Sequence, residues 1–137
     1  MQTTLPITIS FDFDGTLAES EELQEYCKKI IAVGHTVKIL TRRYGPDSDF
    51  KDDEHTYVYF VAKELGIKIE NVHFSNRKWK YEKINDLQIQ AHIDDDDMDI
   101  RYIKTFTKCA TIPFNQVHDW KKNLDDILSE KFITFEQ

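Results

Sequence analysis

Cysteine is scarce in this chain of 137 residues: Cys27 and Cys109 are the only two, far apart and without paired spacing. That argues against a disulfide framework or a thiolate metal site. It leaves two buried thiols, one on the apolar face of a predicted helix and one near a predicted strand. No apolar run is long enough to span a bilayer. The opening residues MQTTLPITIS lack the basic start and apolar stretch of a signal peptide. The expectation is a soluble, cytoplasmic protein with no membrane partner. Positive charge is in deficit, since 18 Lys and Arg against 25 Asp and Glu give −7. Such a balance argues against broad binding to nucleic-acid backbones. It leaves room for a small basic mouth, because Arg42, Arg43, Arg77, Lys78, Lys80 and Lys83 fall in two short stretches. Repeats, linkers and low-complexity segments are also missing. Length and an ordinary apolar share therefore suit one domain over 1–137 with a proper core.

What is present alternates. In PITISFDF, Ile7, Ile9, Phe11 and Phe13 fall on one side and Thr8, Ser10 and Asp12 on the other, the period of a strand, which Gly15 breaks. Leu23, Tyr26, Cys27, Ile30 and Ile31 then recur at helical spacing, with Glu19, Glu21 and Glu22 at the start and Gly34 at the stop. TVKILT predicts a second strand, EHTYVYFVAKELG a helix, NVHFS a short strand and KWKYEKINDLQ a helix. IQAHID, DDMDIRYIKTF, KCATIPF and HDWKKNLDDILSE continue as strand, helix, strand and helix. Five short apolar strands alternating with five amphipathic helices predict an α/β fold: a Rossmann-like three-layer domain around a five-stranded parallel sheet.

The polar residues recur at strand ends. Asp12 and Asp14 follow strand one, Thr41 ends strand two, Lys78, Lys80 and Lys83 follow strand three, and Asp94 to Asp97 end strand four. In an open parallel sheet these ends share one edge, where ligands bind. Carboxylates about 4 Å apart repel by ~1 kcal/mol in water and ~4 kcal/mol at an effective dielectric near 20. A cation should offset this, and a hard divalent ion such as Mg²⁺ suits oxygen ligands better than zinc does. Single features have plainer explanations. Asp96 and Asp97 suit a helix N-terminus, a threonine commonly ends a strand, and most lysines are solvated. The helix-terminus explanation does not reach Asp12 and Asp14.

DFDGTL from Asp12 to Leu17, the Thr of KILT, a downstream lysine and HIDDDD, in this order, resemble the haloacid dehalogenase (HAD) superfamily of Mg²⁺-dependent phosphohydrolases. The resemblance runs from Ile7 to about Phe114. It implies that Asp12 attacks phosphorus to give an aspartyl-phosphate and that Asp14 protonates the leaving oxygen and then activates water. It implies that N–H groups around Asp14 and Gly15, the Thr41 hydroxyl and a lysine hold the phosphoryl oxygens. Lys80 fits that lysine best by spacing, with Lys78 second. The implied Mg²⁺ ligands are Asp12, Asp14 through its carbonyl, and Asp95 with Asp94 beside it. Arg42 and Arg43, directly behind Thr41, either grip a second phosphate or are surface charge.

One helix and one strand use up the chain between Asp14 and Leu40, and a helix, a strand and a loop fill Thr41 to Lys80. No cap domain fits, which resembles the capless HAD group. An open site suits bulky substrates such as a nucleic-acid end or a phosphoprotein, unless the loop 44–53 or a neighbouring subunit helps to exclude water, and the expected partner is a phosphorylated small molecule or a nucleic-acid end. Trp79, Tyr81 and Tyr44 lie near the predicted mouth, as base-stacking surfaces or as ordinary core and rim. Substrate identity and oligomeric state stay open. The alternative function is a non-catalytic metal- and phosphate-binding regulatory module on a degenerate HAD scaffold. A signalling receiver domain is disfavoured, since its acceptor aspartate would end strand three and NVHFS offers none.

Overall fold

The computed structural model describes residues 6–49 and 53–135, the last six of these by backbone alone. Its five strands are β1 (Thr8–Phe11), β2 (Thr36–Thr41), β3 (Val72–Phe74), β4 (Ala91–Asp94) and β5 (Ala110–Pro113). The helices are α1 (Glu21–Val33), α2 (Glu54–Leu65), α3 (Tyr81–Asp86), α4 (Asp97–Phe106) and α5 (Trp120–Phe135). All strand pairs are parallel, in the order β3-β2-β1-β4-β5. The expected α/β architecture is what the chain adopts. The central strands β1 and β4 lie side by side, so the turn after β1 and the aspartates after β4 meet at one edge.

Local signals place the helices. Ser20 caps α1 by accepting from the Leu23 N–H at 3.0 Å, and Gly34 ends it at φ 112°, a left-handed conformation that glycine adopts without a Cβ penalty. Asp96 caps α4 by accepting from the Met98 and Asp99 N–H groups. α3 is shorter than the stretch 78–88 that the sequence suggests, because 76–80 forms an irregular loop with Asn76 and Arg77 at positive φ.

Register separates the two faces of the sheet. Ile9, Phe11, Val37, Ile39, Ala91, Ile93 and Ile112 point one way and pack against Leu23, Cys27 and Ile30 of α1, Val58 and Ala62 of α2, and Leu124 of α5. On the other face a small cluster of Leu40, Ile84, Ile89, Ile103 and Cys109 joins the sheet to α3 and α4. The centre of that second face is polar and still sealed: Ser10, His92 and Asp94 are each fully buried. The alternation of PITISFDF therefore does not mark a solvated side. Both cysteines are free and buried. No helix among the described residues is long and apolar enough to cross a membrane. The 44–53 loop falls partly on 50–52, outside the described residues.

Candidate active site

β1 ends at Phe11, and the chain turns immediately. The Asp12 N–H still donates to the Ile93 carbonyl at 2.9 Å, tying the turn to β4. Leu17 and Ala18 N–H groups then close back onto the Asp12 and Phe13 carbonyls. Gly15 sits at φ 73°, and a Cβ there would collide with the Asp95 carboxylate. Position 15 thus needs glycine both for its backbone and for the close approach of an acidic side chain. Among the described residues, neither the Asp14 nor the Gly15 N–H has an acceptor. Two adjacent free donors at a turn form a concavity suited to an anion.

Lys80 is the organising cation. It is buried, and its Nζ lies 2.7 Å from Asp12 Oδ1, 2.6 Å from Asp94 Oδ2 and 3.8 Å from Asp99 Oδ2. Its own N–H donates to Asp99 Oδ1. Asp12, Asp94 and Asp95 each bring an oxygen within 4.8 Å of the others. The Thr16 hydroxyl reaches Asp12 Oδ2 at 3.0 Å and Asp95 Oδ1 at 3.2 Å, but it carries one proton for the two carboxylates. Asp99 Oδ2 is buried with no hydrogen-bond partner.

The charges shift accordingly. Burial pushes the Asp12 carboxyl up to about 8; Lys80 opposes this, while Asp94 and the Asp95 hydrogen bond add to it. Burial also works against charge on Asp94, yet the hydrogen bond from His92 and the Lys80 ammonium outweigh it and hold the carboxyl below the usual range. Burial likewise opposes the Lys80 charge, and Asp94, Asp12 and Asp99 together hold the ammonium above its ordinary range. Burial raises the Asp99 carboxyl. One ammonium does not balance four carboxylates. Either Asp12 holds a proton or a second cation enters.

The donor set fits such a cation. Asp12, Asp94 and Asp95 offer hard carboxylate oxygens close together, and a Cβ at position 15 would fill the cradle beside Asp95.

Thr41 ends β2, next to β1, buried and accepting the Arg43 N–H at 3.2 Å while keeping its own proton to donate. Lys78 is exposed and makes no ion pair among the described residues, whereas Lys80 reaches Asp12 directly. Asp14 lies apart from the acidic cluster: its two oxygens accept from Arg43 Nε at 2.9 Å and NH2 at 2.7 Å. Only its carbonyl is left for the metal role suggested above. Arg43 spends its remaining nitrogen on the Glu54 carbonyl. Arg42 donates to the Arg77 carbonyl, lies 3.8 Å from Asp96 and stacks 4.5 Å over Trp79. Arg77 pairs with Glu54 and stacks on Tyr44. The predicted basic mouth is therefore largely compensated by the chain's own carboxylates and rings.

Four members of the site were missed. Thr16 lies inside the DFDGTL hexad and could have been read as a carboxylate partner. Asp99 is one surplus aspartate of the acidic stretch, with no local signal to single it out. Ser10 and His92 carried only one signal, the two-residue step from His92 to Asp94 that puts both on one face of β4. Their pairing depends on the β1–β4 register. No family model matches this chain, and no curated protein matches it.

Proposed function

We propose that this protein is a Mg²⁺-dependent phosphohydrolase of HAD type that cleaves a phosphomonoester through an aspartyl-phosphate. The observation that carries it is the burial of Asp12, Lys80 and Asp94 in one hydrogen-bonded group at the carboxyl edge of the central strands, with Asp95 at its rim. Asp12, Asp94 and Asp95, with the Asp14 carbonyl, would hold Mg²⁺, which when bound screens the carboxylates and the incoming phosphoryl charge. Asp12 forms a bond to phosphorus as the ester P–O bond breaks, and the leaving oxygen takes a proton from Asp14. Water, deprotonated by Asp14, then attacks the aspartyl-phosphate phosphorus, releasing inorganic phosphate and regenerating Asp12. The free Asp14 and Gly15 N–H groups, the Thr41 hydroxyl and Lys80 stabilise the phosphoryl oxygens. For Asp14 to act, its carboxylate must leave the Arg43 fork. Two free buried thiols suit a reducing, cytoplasmic setting.

The test is phosphate release from small-molecule phosphomonoesters, nucleotides and 3′- and 5′-phosphorylated oligonucleotides, with and without Mg²⁺. Mg²⁺-dependent release that Asp12→Asn abolishes is expected; inertness on every class would overturn hydrolysis. The Asp14–Arg43 pair favours a second reading, a binding module that keeps the metal pocket without turnover. Beryllium fluoride with Mg²⁺ would then raise the melting temperature while no substrate is cleaved.

A further inference from the structure

Behind the carboxylates lies a group that the proposed chemistry does not use. Ser10 Oγ is 2.6 Å from His92 Nδ1, and His92 Nε2 is 2.7 Å from Asp94 Oδ2. All three residues are completely buried. Ser10 and His92 face each other across β1 and β4 in direct register, and His92 and Asp94 share a face two residues apart. Serine, histidine and aspartate in a row suggest a hydrolytic triad, but a serine sealed inside the sheet meets no substrate. The row must act on Asp94.

The hydrogen bonds fix how. Asp94 Oδ2 accepts from the Lys80 ammonium at 2.6 Å as well as from His92, and Oδ1 accepts from the Asp96 N–H at 3.0 Å. Because Oδ2 is an acceptor, His92 Nε2 must carry the hydrogen. In the neutral ring Nδ1 is then the acceptor, and the Ser10 hydroxyl is the donor facing it. A carboxylate has about four lone-pair sites. Three donors fill three of them and leave one on Oδ1.

We infer that His92, oriented by Ser10, is a positioning residue that fixes the Asp94 carboxylate as a divalent-cation ligand. This rests on the proposed reading of Asp12, Asp94 and Asp95 as the cation site. Lys80 does not by itself fix the carboxylate, because its ammonium is shared with Asp12 and a point charge sets no plane. The imidazole, held at both nitrogens within a sealed sheet, directs Oδ2, and together with the Asp96 N–H on Oδ1 it sets the rotation of the Asp94 carboxylate. Partners behind a metal ligand typically contribute 10–100-fold to metal affinity.

The test is Mg²⁺ titration of the full chain by calorimetry, with metal-free melting recorded for each variant. His92→Asn places its amide near Nδ1 and lacks a donor to Asp94; His92→Gln places an amide N–H near Nε2. The expected result is about 10–100-fold weaker Mg²⁺ binding for His92→Asn and a clearly smaller loss for His92→Gln. A purely structural role would lower the melting temperature of both and separate neither in affinity. Equal affinity in the wild type and His92→Asn overturns the role of His92. No Mg²⁺ binding by the wild type overturns the cation site itself, and the inference with it. If His92→Asn does not fold, Ser10→Ala decides: it frees Nδ1 without changing any charge, weaker Mg²⁺ binding is expected, and unchanged binding overturns the inference.

Discussion

The two faces of the sheet bury their residues for opposite reasons. One face carries Ile9, Phe11, Ile39 and Ile93 against α1, α2 and α5, where removal from water is itself the stabilisation, at roughly 25 cal/mol per Å². The centre of the other carries Ser10, His92 and Asp94, with Asp12 and Lys80 buried at its edge, where desolvation is a cost that only partners offset. The apolar face tolerates substitutions that conserve volume, because dispersion is non-directional. The polar face is ordered by directed hydrogen bonds and has an excess of negative charge. The contrast marks where charge is kept at a cost: the centre of the second face would be more simply built from apolar residues like the cluster that flanks it.

Four experiments press on the contrast. The largest effect is expected for Asp12→Asn, a loss of phosphate release of about 10³-fold or more with the fold intact. Its melting temperature without added cation should stay close to that of the wild type below about pH 8, since Asn, like the protonated Asp12 carboxyl, is neutral and keeps an oxygen to accept from Lys80. A variant that unfolds would make Asp12 structural.

Lys80→Met comes next. Removing one partner of a buried ion group leaves the others uncompensated, so urea unfolding should show a loss of about 3–5 kcal/mol without added cation. A smaller loss in saturating Mg²⁺ would show a second cation sharing the task; an unchanged wild-type midpoint would refute the pairing.

A pH series on metal-free protein follows. Asp12 titrates in the folded state near 8, above its unfolded value near 4. Between these values the folded state holds a proton that the unfolded state releases. The Asp12 contribution should thus be most favourable below about pH 4, decline as pH rises, and level off above about 8. Saturating Mg²⁺ or Asp12→Asn should flatten the slope in thermal melts at fixed ionic strength. A wild-type slope that survives Asp12→Asn belongs to other groups.

The smallest effect is expected on the apolar face. Ile93→Val should cost about 0.5–1.5 kcal/mol and leave the melting response to Mg²⁺ unchanged, although residue 94 follows directly. A lost Mg²⁺ response would show that the two faces are coupled more tightly than their chemistry suggests.

Much of this was legible in order alone. Period-two runs and helical spacing gave five strands and five helices, because burial of one face per element leaves a local periodic signature. The edge carrying Asp12, Thr41, Lys80 and Asp94 followed from parallel topology, which brings strand ends together whatever the loops do. Lys80 could be preferred over Lys78 by spacing, but its contact with Asp12 spans 68 positions and no local pattern encodes it. Arg43 shows the opposite limit. Two residues after Thr41 it reads as either an anion grip or surface charge, and in the fold its fork closes on Asp14.

The sequence by itself determined the element order, the turn at Gly15 and the acidic character of one sheet edge, since these depend on residues adjacent in the chain. Only the tertiary structure decided that Ser10, His92 and Lys80 surround Asp94, because strand register and the irregular loop before α3 place atoms that are distant in sequence within hydrogen-bonding distance. The same packing removes the water that would otherwise satisfy them, so each polar group there must find its partner within the protein.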